Sequence, residues 1–142
     1  MSRWLVGTWL ANLVPLVIAG ISGGPGGVWG HAVFHVGYIA FILAGLAFLW
    51  QLRSASTSRA VRAASVGVAV AQVLFIAGQV GELAVVMNKG GAGALVDPGH
   101  EFVAVAFTGP GLILSLVGLL VLTALVVVAQ RRATDRRPSV HP

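Results

Sequence analysis

Cysteine is absent from this chain of 142 residues, and charge is scarce. Without thiols there is no disulfide, no thiolate nucleophile and no Cys-ligated metal, and the thiol relay that couples disulfides to quinones is excluded too. Charged residues make up 9% of the sequence, against about 25% in an ordinary soluble domain. Only four acidic residues and one tyrosine are present. The chain is 57% hydrophobic, with a mean hydropathy of +0.92. Too few polar side chains exist to cover a folded surface, so lipid must be the solvent over most of it.

The charge that is present is one-sided. Of nine Lys/Arg residues, eight fall in three clusters: Arg3; Arg53, Arg59 and Arg62; and Arg131, Arg132, Arg136 and Arg137. Long apolar stretches separate them, interrupted at residues 21–31 and 88–101, where Lys89 is the sole basic residue. Positive charge marks the cytoplasmic side. The pattern predicts an all-α integral membrane four-helix bundle with both termini inside. The formal charge of +5 is no nucleic-acid footprint, because the arginines sit at the ends of crossings; they suit anionic headgroups. The partner read from composition is therefore the lipid bilayer. The bias to Ala, Val, Gly and Arg points to a GC-rich bacterial genome, and so to a bacterial plasma membrane.

The crossings are read at about residues 4–21, 31–52, 63–87 and 102–130, in a single domain, followed by a basic, disordered tail at 131–142. Trp4 and Trp9 lie near one end of the first, where amphipathic rings favour the interface. A cleaved signal peptide is the other reading of that segment, although Asn12 interrupts its apolar run. The fourth segment has 29 residues, about 43 Å as a helix, where a bilayer core needs about 20 residues. Thr108-Gly109-Pro110-Gly111 divides it, which predicts a kink or break near Pro110, with 101–107 forming an outer cap or interfacial turn. A faint repeat relates Val6-Gly7 and Asn12 to Val66-Gly67 and Gln72, and Gly30-His31 to Gly99-His100. Small residues at Ala63, Gly67 and Ala71, at Ala77 and Gly81, and at Gly111, Ser115 and Gly118 are suited to close helix packing.

Most polar residues of the crossings gather at one level. His31 and His35 are one helical turn apart on one face. Glu82 shares a stripe with Gln79 and Gln72, and His100 and Glu101 open the fourth segment. His35 lies 18 residues before Arg53, and Glu82 lies 20 after Arg62. At about 1.5 Å per residue both sit roughly 27–30 Å from the inner face, just under the outer surface. A carboxylate there is costly unless paired or facing water. Imidazole with carboxylate suits Zn, Fe or Cu, so His31, His35, Glu82, His100 and Glu101 form one candidate metal shell. Alternatively, His31 or His35 could pair with His100 as axial ligands of haem b. Each residue also has an ordinary role: Glu82 in a salt bridge to Lys89, and Gln72, Gln79 and Asn12 in interhelical hydrogen bonds.

Three functions stay open on the sequence. One is a bundle holding a metal or haem near the outer leaflet, which requires His35, Glu82 and His100 to converge. Another is an accessory or structural subunit without chemistry of its own, meeting a membrane partner or a second copy through a Gly/Ala stripe. The third is a small transporter or a zinc-type membrane hydrolase, with bound water activated by the ion and Glu82 as base.

Overall fold

The computed structural model describes residues 2–22, 27–89 and 97–135. Among them there is no strand; the chain forms α1 (Ser2–Ser22), α2 (Gly27–Ala55), α3 (Arg59–Lys89), a short α4 (Pro98–Val103), a π-helical turn (Ala104–Thr108) and α5 (Gly109–Asp135). Helix is what apolar sequence adopts in lipid, because it satisfies every backbone N–H and C=O within the segment. Three spans are long and apolar enough to cross a membrane: Trp29–Ala55, Arg59–Lys89 and the joined, kinked Pro98–Asp135. The apolar stretch of α1, Arg3–Ala19, is shorter. Parts of the two glycine-rich loops and the end of the basic tail, whose disorder was expected, lie outside the described residues. The last helix continues through Arg131 and Arg132, past the expected boundary at 130.

The caps explain where helices start. Ser58 takes the N-terminal position of α3, its hydroxyl accepting from the Val61 N–H at 3.4 Å, and Ser56 in turn accepts from the Ser58 N–H at 3.2 Å. Asp97 caps α4 by accepting from the Gly99 N–H at 2.8 Å, with Pro98 at the first helical position, where no N–H is needed. The Gly99 N–H, with Lys89 beside it, holds the Asp97 carboxyl below the usual carboxylate range. Lys89 pairs with Asp97 at 3.3 Å, so it is not the partner of Glu82.

The break expected near Pro110 is a widened turn. Pro110 has no N–H to give to residue 106, and its ring would crowd that carbonyl. The chain meets this by inserting one residue: the Gly109 N–H reaches back five residues to the Ala104 oxygen, the signature of a π-bulge. Residues 101–107 therefore continue the helical path against α3 and do not form a separate turn.

Helix α3 is central, packing along α2 on one side and the α4–α5 segment on the other; α1 lies on α2 and barely meets α5. The Trp9 indole N–H donates to the Thr123 hydroxyl at 3.0 Å, tying α1 to α5. Two glycines let backbones touch. A Cβ on Gly111 would sit 2.6 Å from the Phe75 nitrogen, and one on Gly78 would sit 2.7 Å from the Thr108 nitrogen. Ala63 and Gly67, expected in such contacts, are exposed.

Burial is inverted relative to a soluble protein. Val17, Val33, Val70, Val105, Ile113 and Leu120 face outward, while Thr8, Asn12, His31, His35, Gln72, Gln79, Glu82 and Ser115 are buried. The outer surface suits lipid. Inside, Leu5, Leu49, Leu52, Val61, Val68, Leu119, Leu122 and Val126 form an apolar layer at the end that carries Ser56 and Ser58. A second layer of Tyr38, Ile42 and Phe75 separates the bundle's middle from the histidines.

Candidate metal centre

The site is assembled by α2, α3, α4 and the π-turn. One turn of α2 stacks His31 on His35, with ring centroids 4.8 Å apart and planes 20° apart. From α4, His100 meets His31 edge to face, with centroids 5.8 Å apart. One ligand nitrogen from each of these three histidines lies within 4.8 Å of the others. On α3, Glu82 faces them: its Oε2 is 3.8 Å from His35 Nε2 and 3.4 Å from His100 Nε2. His35, Glu82 and His100 thus converge.

Two further side chains set how these groups present their atoms. Gln79, 3% exposed, lies one turn before Glu82, and its Oε1 is 2.8 Å from His35 Nδ1. An amide oxygen only accepts, so Nδ1 carries the proton and donates, which leaves Nε2 as a bare lone pair in the neutral ring. That nitrogen faces the Glu82 carboxylate and is buried without a hydrogen-bond partner among the described residues, as is His100 Nε2. Thr108 supplies the other support. Its hydroxyl donates to Glu82 Oε1, which leaves Oε2 turned to the histidines.

Lone pairs aimed at a carboxylate oxygen repel it. The His35 Nε2 lone pair facing Glu82 Oε2 is accommodated by a proton or a metal ion held between them, and His100 Nε2 can meet the same oxygen as an N–H donor or join a metal as a ligand. Separations of 3.4 and 3.8 Å come close to the edge of a tetrahedron with metal–ligand bonds of about 2.0–2.1 Å, which is about 3.4 Å.

Other expected residues stand elsewhere. Glu101 is exposed and borders a shallow surface pocket with Pro98, Phe102, Val105 and Ala106. It follows His100 directly, and successive helical residues point about 100° apart, so only one of the two can face α3. Asn12 and Gln72, expected to bridge helices, do not: the Asn12 amide donates to Thr8 O in its own helix at 2.8 Å, and the Gln72 amide has no partner among the described residues. Thr108 is the participant that the sequence does not reveal. It stands there only as part of a break motif, and a hydroxyl beside Gly-Pro carries no signal of which neighbour it will meet.

No protein-family model, curated protein or solved structure matches this chain. Fold and cluster nonetheless define a class: a helical bundle of the multi-pass membrane type with a largely buried histidine cluster that could hold a metal ion.

Proposed function

We propose that this is a bacterial plasma-membrane protein with both termini cytoplasmic that holds a divalent transition metal near the outer end of its bundle. His35, His100 and Glu82 are the core ligands, and His31 completes the shell. The observation that carries the reading is the pair of partnerless imidazole nitrogens converging on one oxygen of a buried carboxylate. Of their other atoms, His35 Nδ1 is occupied by Gln79 and Glu82 Oε1 by Thr108, as supporting residues orient ligands in metal sites. A donor set of imidazoles and carboxylate without thiolate suits zinc first, with iron and copper also compatible.

A bare ion is better supported than haem. The Glu82 carboxylate stands between His35 and His100, where a porphyrin plane would have to pass, and the His31 ring packs against both of the other imidazoles. Holding the metal is better supported than hydrolysis. A catalytic zinc keeps an open position, whereas four protein ligands fill the shell here, and with Glu82 in the shell it is not free to act as a base.

The test is an absorption spectrum and metal analysis on one detergent-purified sample, followed by zinc and cobalt titration. Near-stoichiometric metal that is lost in His35→Ala and Glu82→Gln is the expected result. A folded protein that is metal-free as isolated and takes up neither ion would sink the proposal.

A further inference from the structure

A second built feature lies away from the histidines, at the end of the bundle that carries Arg53. A groove of about 410 Å³ runs between α2 and α3, lined by Leu46, Trp50, Val66, Val70 and Val73, with Arg53 at its end. That volume lies within the range of small-molecule sites, about 300–1,000 Å³. Trp50, Val66, Val70 and Val73 are largely exposed, so the groove opens to the side of the bundle and not to its core. It extends along α2 from residue 46 to 53 and along α3 from residue 65 to 73. That is about 10–12 Å along the axis, most of one leaflet of a hydrocarbon core about 30 Å thick.

Apolar lining alone would select nothing in a bilayer, and Arg53 supplies the selectivity. Its guanidinium lies 5.3 Å from the centroid of the Trp50 ring, a cation–π contact that holds it over the groove mouth. Its Nε is shielded from solvent and has no hydrogen-bond partner among the described residues. No ion pair among those residues involves Arg53, Arg59 or Arg62, and no acidic residue occurs before Glu82. A guanidinium without an ion pair, set within a patch of uncompensated positive charge at the groove mouth, calls for an anionic acceptor. An apolar channel ending in that donor calls for an acceptor attached to a hydrocarbon chain.

We propose that this groove is a site for an anionic phospholipid, with one acyl chain lying between α2 and α3 and its phosphate accepting from Arg53. The proposal is independent of the metal reading, since the two sites share no residue.

Native mass spectrometry tests it. The detergent-purified protein is exposed to equal concentrations of phosphatidylglycerol and phosphatidylcholine with identical acyl chains. Wild type should retain phosphatidylglycerol over phosphatidylcholine by about fivefold, what one arginine contributes against an anionic lipid. Arg53→Gln should bring the ratio near one. Val70→Trp, which fills the groove and leaves Arg53 in place, should reduce retention of both lipids. Circular dichroism of each variant establishes that the bundle is intact, and should Arg53→Gln not fold, Val70→Trp decides. Equal retention of the two lipids by wild type, an unchanged ratio in Arg53→Gln, or undiminished adducts in Val70→Trp would each overturn the site.

Discussion

Replacing Gln79 by leucine is the sharpest probe of the metal centre, because Gln79 touches no metal. It acts only by accepting the His35 Nδ1–H at 2.8 Å and so directing the Nε2 lone pair at Glu82. Leucine is of similar size and keeps the packing, but it leaves a donor on a ring that is 1% exposed without a partner. An unsatisfied buried donor costs about 1–3 kcal/mol, and the ring can relieve that by rotating or by moving its proton to Nε2, where it would oppose the ion. Supporting residues of this kind are worth about 10–100-fold in metal affinity, or about 1.4–2.7 kcal/mol. The assay is zinc affinity by competition with a chromophoric chelator in detergent, alongside thermal unfolding in excess chelator to isolate the effect on the metal-free fold. Gln79→Leu should bind about 10–100-fold more weakly, and Gln79→Glu, which keeps an acceptor, should retain most of the affinity. A folded Gln79→Leu protein binding zinc within about twofold of wild type would refute the argument that Gln79 fixes the His35 tautomer.

Three further outcomes are expected. Gly78→Ala places a methyl 2.7 Å from the nitrogen and 2.9 Å from the Cα of Thr108, so backbone must move; the melting experiment should show a loss of about 1–3 kcal/mol, and an unchanged midpoint would mean that α3 and the π-turn are not in close contact. Asp97 caps α4 with a carboxyl held below its usual range, first by the Gly99 N–H and then by Lys89. Its contribution is thus present above the unfolded value, about 3.9, and is lost as pH falls through the lower folded value; Asp97→Ala should lower the melting midpoint at neutral pH and converge with wild type in strong acid, and a gap that persists there would argue against the linkage. For topology, the cysteine-free chain is a clean background: Glu101→Cys should react with a membrane-impermeant maleimide in intact cells and Ser54→Cys should not, whereas the reverse pattern would invert the orientation.

Several features of the site are legible in the linear sequence. His35 and Glu82 can be placed at one depth because the helical rise is nearly constant, so residue counts from Arg53 and Arg62 convert to distance. The irregularity near Pro110 is readable because a missing N–H is a local covalent fact, although its form, one inserted residue ending at Thr108, depends on how the chain repacks on α3. Other pairings are not readable. Lys89 is a plausible partner for Glu82 on one helix and instead pairs with Asp97, because the end of α3 is brought close to the start of α4. Gln79, readable as an interhelical hydrogen bonder, does bridge helices, but Gln72 on the same stripe has no such partner.

By itself the sequence determined that this chain is a bundle of apolar helices with its scarce polar groups concentrated at one level. Hydropathy is summed along the chain and needs no knowledge of neighbours. Tertiary structure alone decided which faces meet. Depth along a helix follows from counting, but rotation about its axis follows from packing against the next one. The close approaches at Gly78 and Gly111 set that rotation for α3 against the α4–α5 segment. They turn Thr108 and His100 toward Glu82 and leave Glu101 outside. The polar stripe of Gln72, Gln79 and Glu82 marks the inward face of α3, but nothing so polar marks the faces of the α4–α5 segment, where an almost uniformly apolar sequence gives no periodicity to announce the choice.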